Sequence, residues 1–357
     1  MLYASGIATT AINCTPIADG WGPHPGLNPV SEPLSSPCFG AVAVRTSTGA
    51  FRIFAGTQEA LWQYNSDTTG WDDVSRLSGG AYGVPSTDKW WFQVFGAKLM
   101  AGNLNDEPQF IDIDAGTEFA DLAGSPPNAR YAWVAGSQLV LGHLAGFPSR
   151  IMTSALGDVT FWDPGRRGCD FQDFADGDEV VGGRGSQGGA LVAQKRMFRS
   201  MTMQSGDVAF RTDVLNADRG VIAPLSLAWI GPGQFVYLSA DGFFKGVEGT
   251  PIGIERVDEW FLSTINRTRI GEVRAFVDPN MKIVWWQAPR VSGTLFRLGY
   301  HWPSNRWCYS DLPFTEMATL VTPGISIAGL TGYFGAIEDI DLPMDSPLLT
   351  GGIPALS

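Results

Sequence analysis

The sequence predicts an all-β chain: a β-propeller of six four-stranded blades with extended N- and C-terminal segments. Glycine and proline supply 44 and 23 of the 357 residues, spread between aromatic and β-branched runs. Such a chain has many turns and few long helices. The runs fall into groups of four, and an aromatic in the last run of each group recurs at a near-constant step. Trp71, Phe119, Trp162, Phe210, Trp260 and Trp307 are separated by 48, 43, 48, 50 and 47 residues. Periods of about 40–50 residues with four strands apiece belong to radial propellers. A two-sheet sandwich has no physical cause to keep such a period. Six groups fit, and a seventh blade stays open if an end segment completes it.

Residues 1–40 are rich in Thr, Pro and Gly and close in NPVSEPLSSPCFG. Proline at this density forbids a helix and disfavours a central strand, so the segment reads as an extended arm with one strand near residues 3–9. The propeller is expected over residues 41–315. Its first group holds runs at 41–45, 51–55, 60–64 and 71–75. A lone four-stranded meander cannot bury both faces and needs neighbours of its own kind. They follow at once, the second group running through 90–95, 98–102, 108–114 and 118–122. There Ile111 and Ile113 alternate with Asp112 and Asp114, the mark of a half-buried strand. The third group is read at 131–136, 138–144, 149–155 and 161–163, and the fourth at 180–185, 190–194, 197–203 and 208–214.

The fifth group is the clearest template. Runs at 225–230, 235–238 and 243–247 precede an outer strand at 257–262 that carries Trp260 and Phe261. Asp241-Gly242 between the second and third runs signals a hairpin turn with positive φ at both central residues. The sixth group lies at 273–277, 282–286, 294–302 and 306–310. Residues 316–357 form a C-terminal segment with strand material at 320–330 and carboxylates at Glu338, Asp339, Asp341 and Asp345. This segment either pairs with the N-terminal arm to close the ring or belongs to a further unit of a longer relative.

Charge narrows the function classes. The net charge is −12, whereas gripping DNA or RNA takes Lys and Arg set against phosphates. A protein that surrounds DNA without holding it is still compatible. There is no apolar run of about 18 residues for a membrane span, and the start MLYASGIATTAINC lacks the basic flank of a secretory signal. Cys14, Cys38, Cys169 and Cys308 form no CxxC and are expected as free thiols, Cys14 and Cys38 being the only two near each other in sequence.

Candidate chemistry is sparse. Gly183-x-Gly185-x-x-Gly188 matches a dinucleotide fingerprint in isolation, but no βαβ unit surrounds it. Close packing of backbone at a blade's inner edge is the structural reading. Asp170, Asp173, Asp176, Asp178 and Glu179 make the densest carboxylate cluster, with spacing unlike an EF-hand, and read as a solvated acidic loop. His24, His143 and His301 stand far apart and form neither HxH nor HExxH. No GxSxG elbow occurs, and Ser66-Asp67-Thr68-Thr69-Gly70-Trp71 displaces the Asp and Gly of a sialidase-type turn. Trp90-Trp91 and Trp285-Trp286 could stack sugars, but neighbours on a strand point to opposite faces, which suits packing between blades. No catalytic, cofactor or metal residue is therefore assigned. A glycan-binding or glycan-hydrolysing propeller, using tryptophans with Asp173 and Asp176, is one alternative; a generic propeller scaffold for protein partners is another.

Several phrases carry a resemblance: FRIFAGTQEALWQYN from Phe51, GWDDVS from Gly70, WFQVFGAKLMAGNLNDEPQFIDI from Trp91, FVYLSADGFFKG from Phe235, PIGIERVDEWFLSTIN from Pro251, VDPNMKIVWW from Val277 and DSPLLTGG from Asp345. In wording and order, across residues 40–350, they resemble the β-propeller tail proteins of short-tailed bacteriophages, of the nozzle or tail-tubular type. That resemblance implies a non-catalytic virion protein assembled in the host cytoplasm. It also implies a ring of several copies, often six, next to portal and adaptor or tail proteins, with DNA crossing the lumen at ejection without specific binding. No cofactor is implied.

Overall fold

The computed structural model describes residues 12–17, 20–24, 31–204, 209–312, 319–321, 340, 343 and 354–356. The strand expected at 3–9, most of 320–330, and Glu338, Asp339, Asp341 and Asp345 lie outside them.

The first described element is a hairpin, β1 (Cys14–Ile17) with β2 (Gly20–Pro23). Blade 1 is β3 (Ala41–Arg45), β4 (Phe51–Gly56), β5 (Leu61–Tyr64) and β6 (Trp71–Asp73). Blade 2 is β7 (Trp91–Phe95), β8 (Lys98–Gly102), β9 (Gln109–Asp112) and β10 (Ala120–Asp121). Blade 3 is β11 (Ala129–Ala135), β12 (Gln138–Leu144), β13 (Phe147–Thr153) and β14 (Phe171–Asp173). Blade 4 is β15 (Val180–Ser186), β16 (Gly189–Gln194), β17 (Phe198–Met203) and β18 (Phe210–Asn216). Blade 5 is β19 (Ala228–Gly231), β20 (Gln234–Ser239), β21 (Gly242–Lys245) and β22 (Thr250–Pro251), followed by helix α1 (Asp258–Thr264). Blade 6 is β23 (Arg274–Asp278), β24 (Ile283–Pro289), β25 (Leu295–His301) and β26 (Arg306–Ser310). Each blade is an antiparallel meander in chain order. The fold is the predicted all-β propeller with six four-stranded blades. Last come β27 (Thr319–Val321) and β28 (Pro354–Leu356), paired with each other.

The chain divides into two compact units. One holds Pro29–Ile222 with Thr315–Ser357, the other Met1–Asn28 with Ala223–Phe314. In the first, the leading strands of successive blades lie side by side, β3 by β7, β7 by β11 and β11 by β15, and β27 lies against β3. The blade faces meet in apolar layers. Val44, Phe54, Leu61 and Trp90 pack with Leu99 and Phe119 between blades 1 and 2. Trp91, Met100, Leu139 and Leu141 pack with Trp162 between blades 2 and 3, and Trp133, Val140 and Ile151 with Val192 and Met201 between blades 3 and 4. A blade flanked on both faces buries both, so every residue of β12 is buried, as is every residue of β24 in the second unit. Their sequences accordingly read as continuous runs instead of alternating ones.

Large indoles lie over glycines. A Cβ on Gly56 would sit 2.1 Å from the Trp90 ring, one on Gly102 2.3 Å from Trp91, and one on Gly299 2.7 Å from Trp285. Trp133 covers both Gly142 and Gly183, with 2.8 and 2.6 Å to the added Cβ. At these positions tryptophan supplies the volume and glycine the space.

Two outer strands depart from the sequence reading. In blade 3 the strand is Phe171–Asp173 and not 161–163. Trp162 is instead a core residue under the connection from β13, donating its indole N–H to Val159 O at 2.7 Å. In blade 5 residues 258–264 form α1, and the outer strand is only Thr250–Pro251. Asp258 and Glu259 occupy the helix's first turn, where the dipole favours carboxylates. The buried Asp258 carboxylate also accepts the Phe243 N–H at 3.1 Å. Burial raises the Asp258 pKa above the usual carboxylate range. The neighbours Trp260 and Phe261 diverge around the helix: Phe261 is buried against Phe243 at 4.8 Å, whereas Trp260 is 42% exposed.

The expected turn also shifts by one residue. Ser239 pairs with Gly242, so Ala240 and Asp241 are the central residues, and neither has positive φ. Gly242 begins β21 at φ +143°, and a Cβ there would meet the Asp258 carboxylate at 2.3 Å. The glycine is demanded by that carboxylate more than by the turn.

Candidate functional site

The acidic cluster of the sequence comes apart in space. Asp173 takes a bidentate pair from Arg150 at 2.7 Å, and Arg150 is held between the rings of Phe147 and Phe171. Asp176 pairs with the buried Arg199, Asp178 with Arg196 at 3.8 Å, and Glu179 with Lys195. Asp170 accepts its neighbour's N–H from Phe171 at 2.8 Å. Five carboxylates with separate partners do not converge on a cation, and among the described residues no group of three His, Cys, Asp or Glu could hold a metal. Asp173 and Asp176, the carboxylates of the glycan-hydrolysing alternative, are each engaged by an arginine whose hydrogen bond holds the carboxyl below its usual pKa. Neither is poised as a proton donor at neutral pH.

The glycine motif is structural. Gly183 and Gly185 lie on β15, where a Cβ at 185 would be 1.6 Å from the Val134 carbonyl oxygen of β11. The tryptophan pairs split between faces as strand geometry requires. Trp90 donates to Thr57 O at 2.8 Å and Trp91 to Ala129 O at 2.9 Å, while Trp286 donates to Ser226 O at 2.9 Å. All four rings of the two pairs are buried and unavailable to stack on a sugar. In the 66–71 turn, the Asn65 side-chain oxygen accepts the Asp67 N–H at 2.9 Å. The three histidines have separate surroundings: His24 lies 5.6 Å from the Trp285 ring and His301 Nδ1 is 2.6 Å from Ser304 Oγ.

His143 belongs to an arrangement that the sequence did not reveal. Asp88 precedes β7, Arg130 is the second residue of β11 and Glu179 precedes β15, so three successive blades bring charges near the start of their leading strands. Arg130 Nε lies 3.1 Å from Asp88 Oδ1. His143 Nδ1 lies 3.3 Å from Glu179 Oε2 and 3.2 Å from Val180 O, and Tyr131 meets the His143 ring edge-on at 6.1 Å. Asp88 Oδ2 and the Tyr131 hydroxyl are buried without a hydrogen-bond partner. His143 sits at φ +56° where β12 changes register against β13, a strained conformation for a side chain that the surrounding contacts must hold. Opposite charges from blade to blade tie blades 2, 3 and 4 together. The signal that could have found them is positional: a charged residue near the start of the leading strands of blades 2, 3 and 4.

Burial, helped by the Arg130 charge, pushes the His143 pKa below its ordinary 6.5 even though Glu179 draws it upward. The unfolded chain therefore binds this proton first. Its contribution to stability is complete above pH 6.5 and is lost as the pH falls toward the folded-state value. Chemical unfolding from pH 7.5 to 5 should show that loss. His143→Asn, which tolerates positive φ, should flatten the profile; an unchanged slope would rule out this assignment.

A second feature lies wholly in the unit of blades 5 and 6. Trp21 from β2, Val257 and Trp260 at α1, Leu298 from β25, and Trp307, Cys308 and Tyr309 from β26 line an open groove of about 280 Å³. Trp21 and Trp260 are 44% and 42% exposed, so this groove presents the indoles that the paired tryptophans do not. Trp260 stands edge-on to Phe296 and Tyr309 at 5.5 and 5.9 Å, which fixes its ring.

No family model matches the chain, and no curated protein matches it. Among solved structures, a chain of the mitotic checkpoint complex aligns at 10% identity with a TM-score of 0.45, over 90% of this chain and 91% of that one. The β-propeller domain of Myceliophteria thermophila Cps50 (Swd1) aligns at 11% identity and a TM-score of 0.38, over 59% of this chain and 64% of that one. The extracellular domain of a putative hybrid two-component system from B. thetaiotaomicron aligns at 12% identity and a TM-score of 0.36, over 81% of this chain and 30% of that one. The chain thus spans less than two thirds of the latter two. The fold assignment rests on the six sheets themselves. Among the described residues, no helix is long and apolar enough to cross a membrane.

Proposed function

We propose that this propeller is a non-catalytic structural subunit of a bacteriophage tail or head–tail assembly, a nozzle-like ring around a DNA conduit. The observation that carries the reading is where the phage-like phrases fall. FRIFAGTQEALWQYN covers β4 and β5, WFQVFGAKLMAGNLNDEPQFIDI covers β7 to β9, and FVYLSADGFFKG covers β20 and β21. Within each phrase the likeness follows neighbouring strands of one blade in their order. A net charge of −12 agrees with a conduit, because each added Lys or Arg contact to phosphate would slow DNA passage. Other copies of the chain, together with portal, adaptor or tail proteins, are the partners in this reading. The test is mass spectrometry and electron microscopy of phage particles made from the genome encoding the chain, with the purified chain run alongside. The expected result is the chain in the particle and rings of the purified protein. A strictly monomeric chain absent from particles overturns the proposal.

The tryptophan groove favours a second reading, a glycan-binding propeller, since exposed indoles stack on the apolar faces of sugars. Binding to a glycan panel, lost in Trp260→Ala, supports it; no binding to any glycan removes it. A generic scaffold for protein partners fits the same fold.

A further inference from the structure

We propose that Cys14 and Cys308 are a redox pair whose disulfide fastens the N-terminal hairpin to the outer strand of blade 6. The two thiols are 294 positions apart in sequence but neighbours in the fold. Asn13 donates its backbone N–H to Tyr309 O at 2.9 Å, and its side chain bonds Ser310 Oγ and Asp311 Oδ1, both at 2.8 Å. At the other end of the hairpin strand, Ile17 O accepts from Arg306 Nη1 at 3.2 Å. β1 therefore lies along β26, which brings Cys14, the residue after Asn13, beside Cys308, near enough for its charge to act on that thiol.

The thiols differ in a way that orders the chemistry. Both are free in this structure; Cys14 is half-buried, with its Sγ 3.4 Å from Ile12 O, whereas Cys308 is buried. Burial, with a smaller push from the Cys14 charge, raises the Cys308 thiol to about 12, so Cys308 is the slower nucleophile. With a small disulfide such as oxidised glutathione as the oxidant, the Cys14 thiolate attacks one sulfur and expels one glutathione thiolate. The Cys308 thiolate then attacks the Cys14 sulfur of the mixed disulfide and expels the second. One protein S–S bond forms, the glutathione S–S bond is broken, and the two cysteine protons end on the two released thiols.

The pair is tested on the folded full-length chain equilibrated with oxidised glutathione, alkylated, digested without reduction and read by mass spectrometry. The expected result is a linked pair of peptides containing Cys14 and Cys308, lighter by the two lost hydrogens, about 2 Da. It should be absent in Cys14→Ser and present in Cys38→Ser. The oxidised wild type should also unfold at a higher midpoint than the reduced form, and Cys14→Ser should lose that difference. A Cys14 that stops at the glutathione mixed disulfide, or that links to Cys38 or Cys169, overturns the proposal. Cys14 is used for the variant because its half-buried side chain tolerates serine better than the buried Cys308.

Discussion

Replacing Trp286 with alanine should cost about 3–5 kcal/mol, the range for emptying a large buried aromatic site. The ring is fully buried in blade 6, stacked on Trp307 at 5.8 Å and tilted against Phe243 at 4.6 Å. Its N–H satisfies Ser226 O across 60 positions of sequence, so truncation also leaves a buried carbonyl unpaired. That orphaned acceptor adds about 1–3 kcal/mol. Trp286→Phe keeps much of the volume and loses the hydrogen bond, so it should fall between the wild type and alanine. Urea unfolding followed by circular dichroism reads the order. If Trp286→Ala unfolds within about 1 kcal/mol of wild type, this ring does not hold blades 5 and 6 together as described.

The second large effect is expected at Gly185, set against Gly188 as its control. Both belong to the G-x-G-x-x-G phrase. Alanine at 185 would place its Cβ 1.6 Å from the Val134 carbonyl oxygen, and backbone cannot rotate away as a side chain can. The strands β11 and β15 would have to separate, so the cost should reach or exceed the about 1–3 kcal/mol typical of overpacking. At Gly188 an added Cβ meets nothing within 4 Å, and φ there is not positive. Gly188→Ala should be neutral or slightly stabilising, through a less flexible unfolded chain. Thermal melts of both variants decide. Equal destabilisation at the two positions would show that the phrase serves something other than the approach of two blades.

Much of the fold was legible because it depends on local rules. Strands Ala41–Arg45, Lys98–Gly102, Gln138–Leu144 and Arg306–Ser310 have the boundaries that their apolar runs and turn residues suggest. The two misplaced outer strands share a cause. An outer strand packs little, so its sequence is weakly constrained, and a strong aromatic nearby draws the reading toward itself. Trp162 belongs to the core between blades, and Trp260 to a helix whose first turn is set by a buried carboxylate. The candidate sites were less legible still. The Asp88–Arg130 and His143–Glu179 contacts join residues of neighbouring blades. The tryptophan groove assembles Trp21 and Trp260 from segments more than 200 positions apart.

The sequence by itself determined the class and the repeat: an all-β, turn-rich chain of four-stranded units. These follow from hydrophobic pattern and turn chemistry, which act over a few residues. Tertiary structure alone decided which carboxylates are claimed by arginines, which indoles reach solvent and which cysteines come near each other. Those outcomes depend on which blade lies beside which, and contacts between blades leave no fixed spacing along the chain.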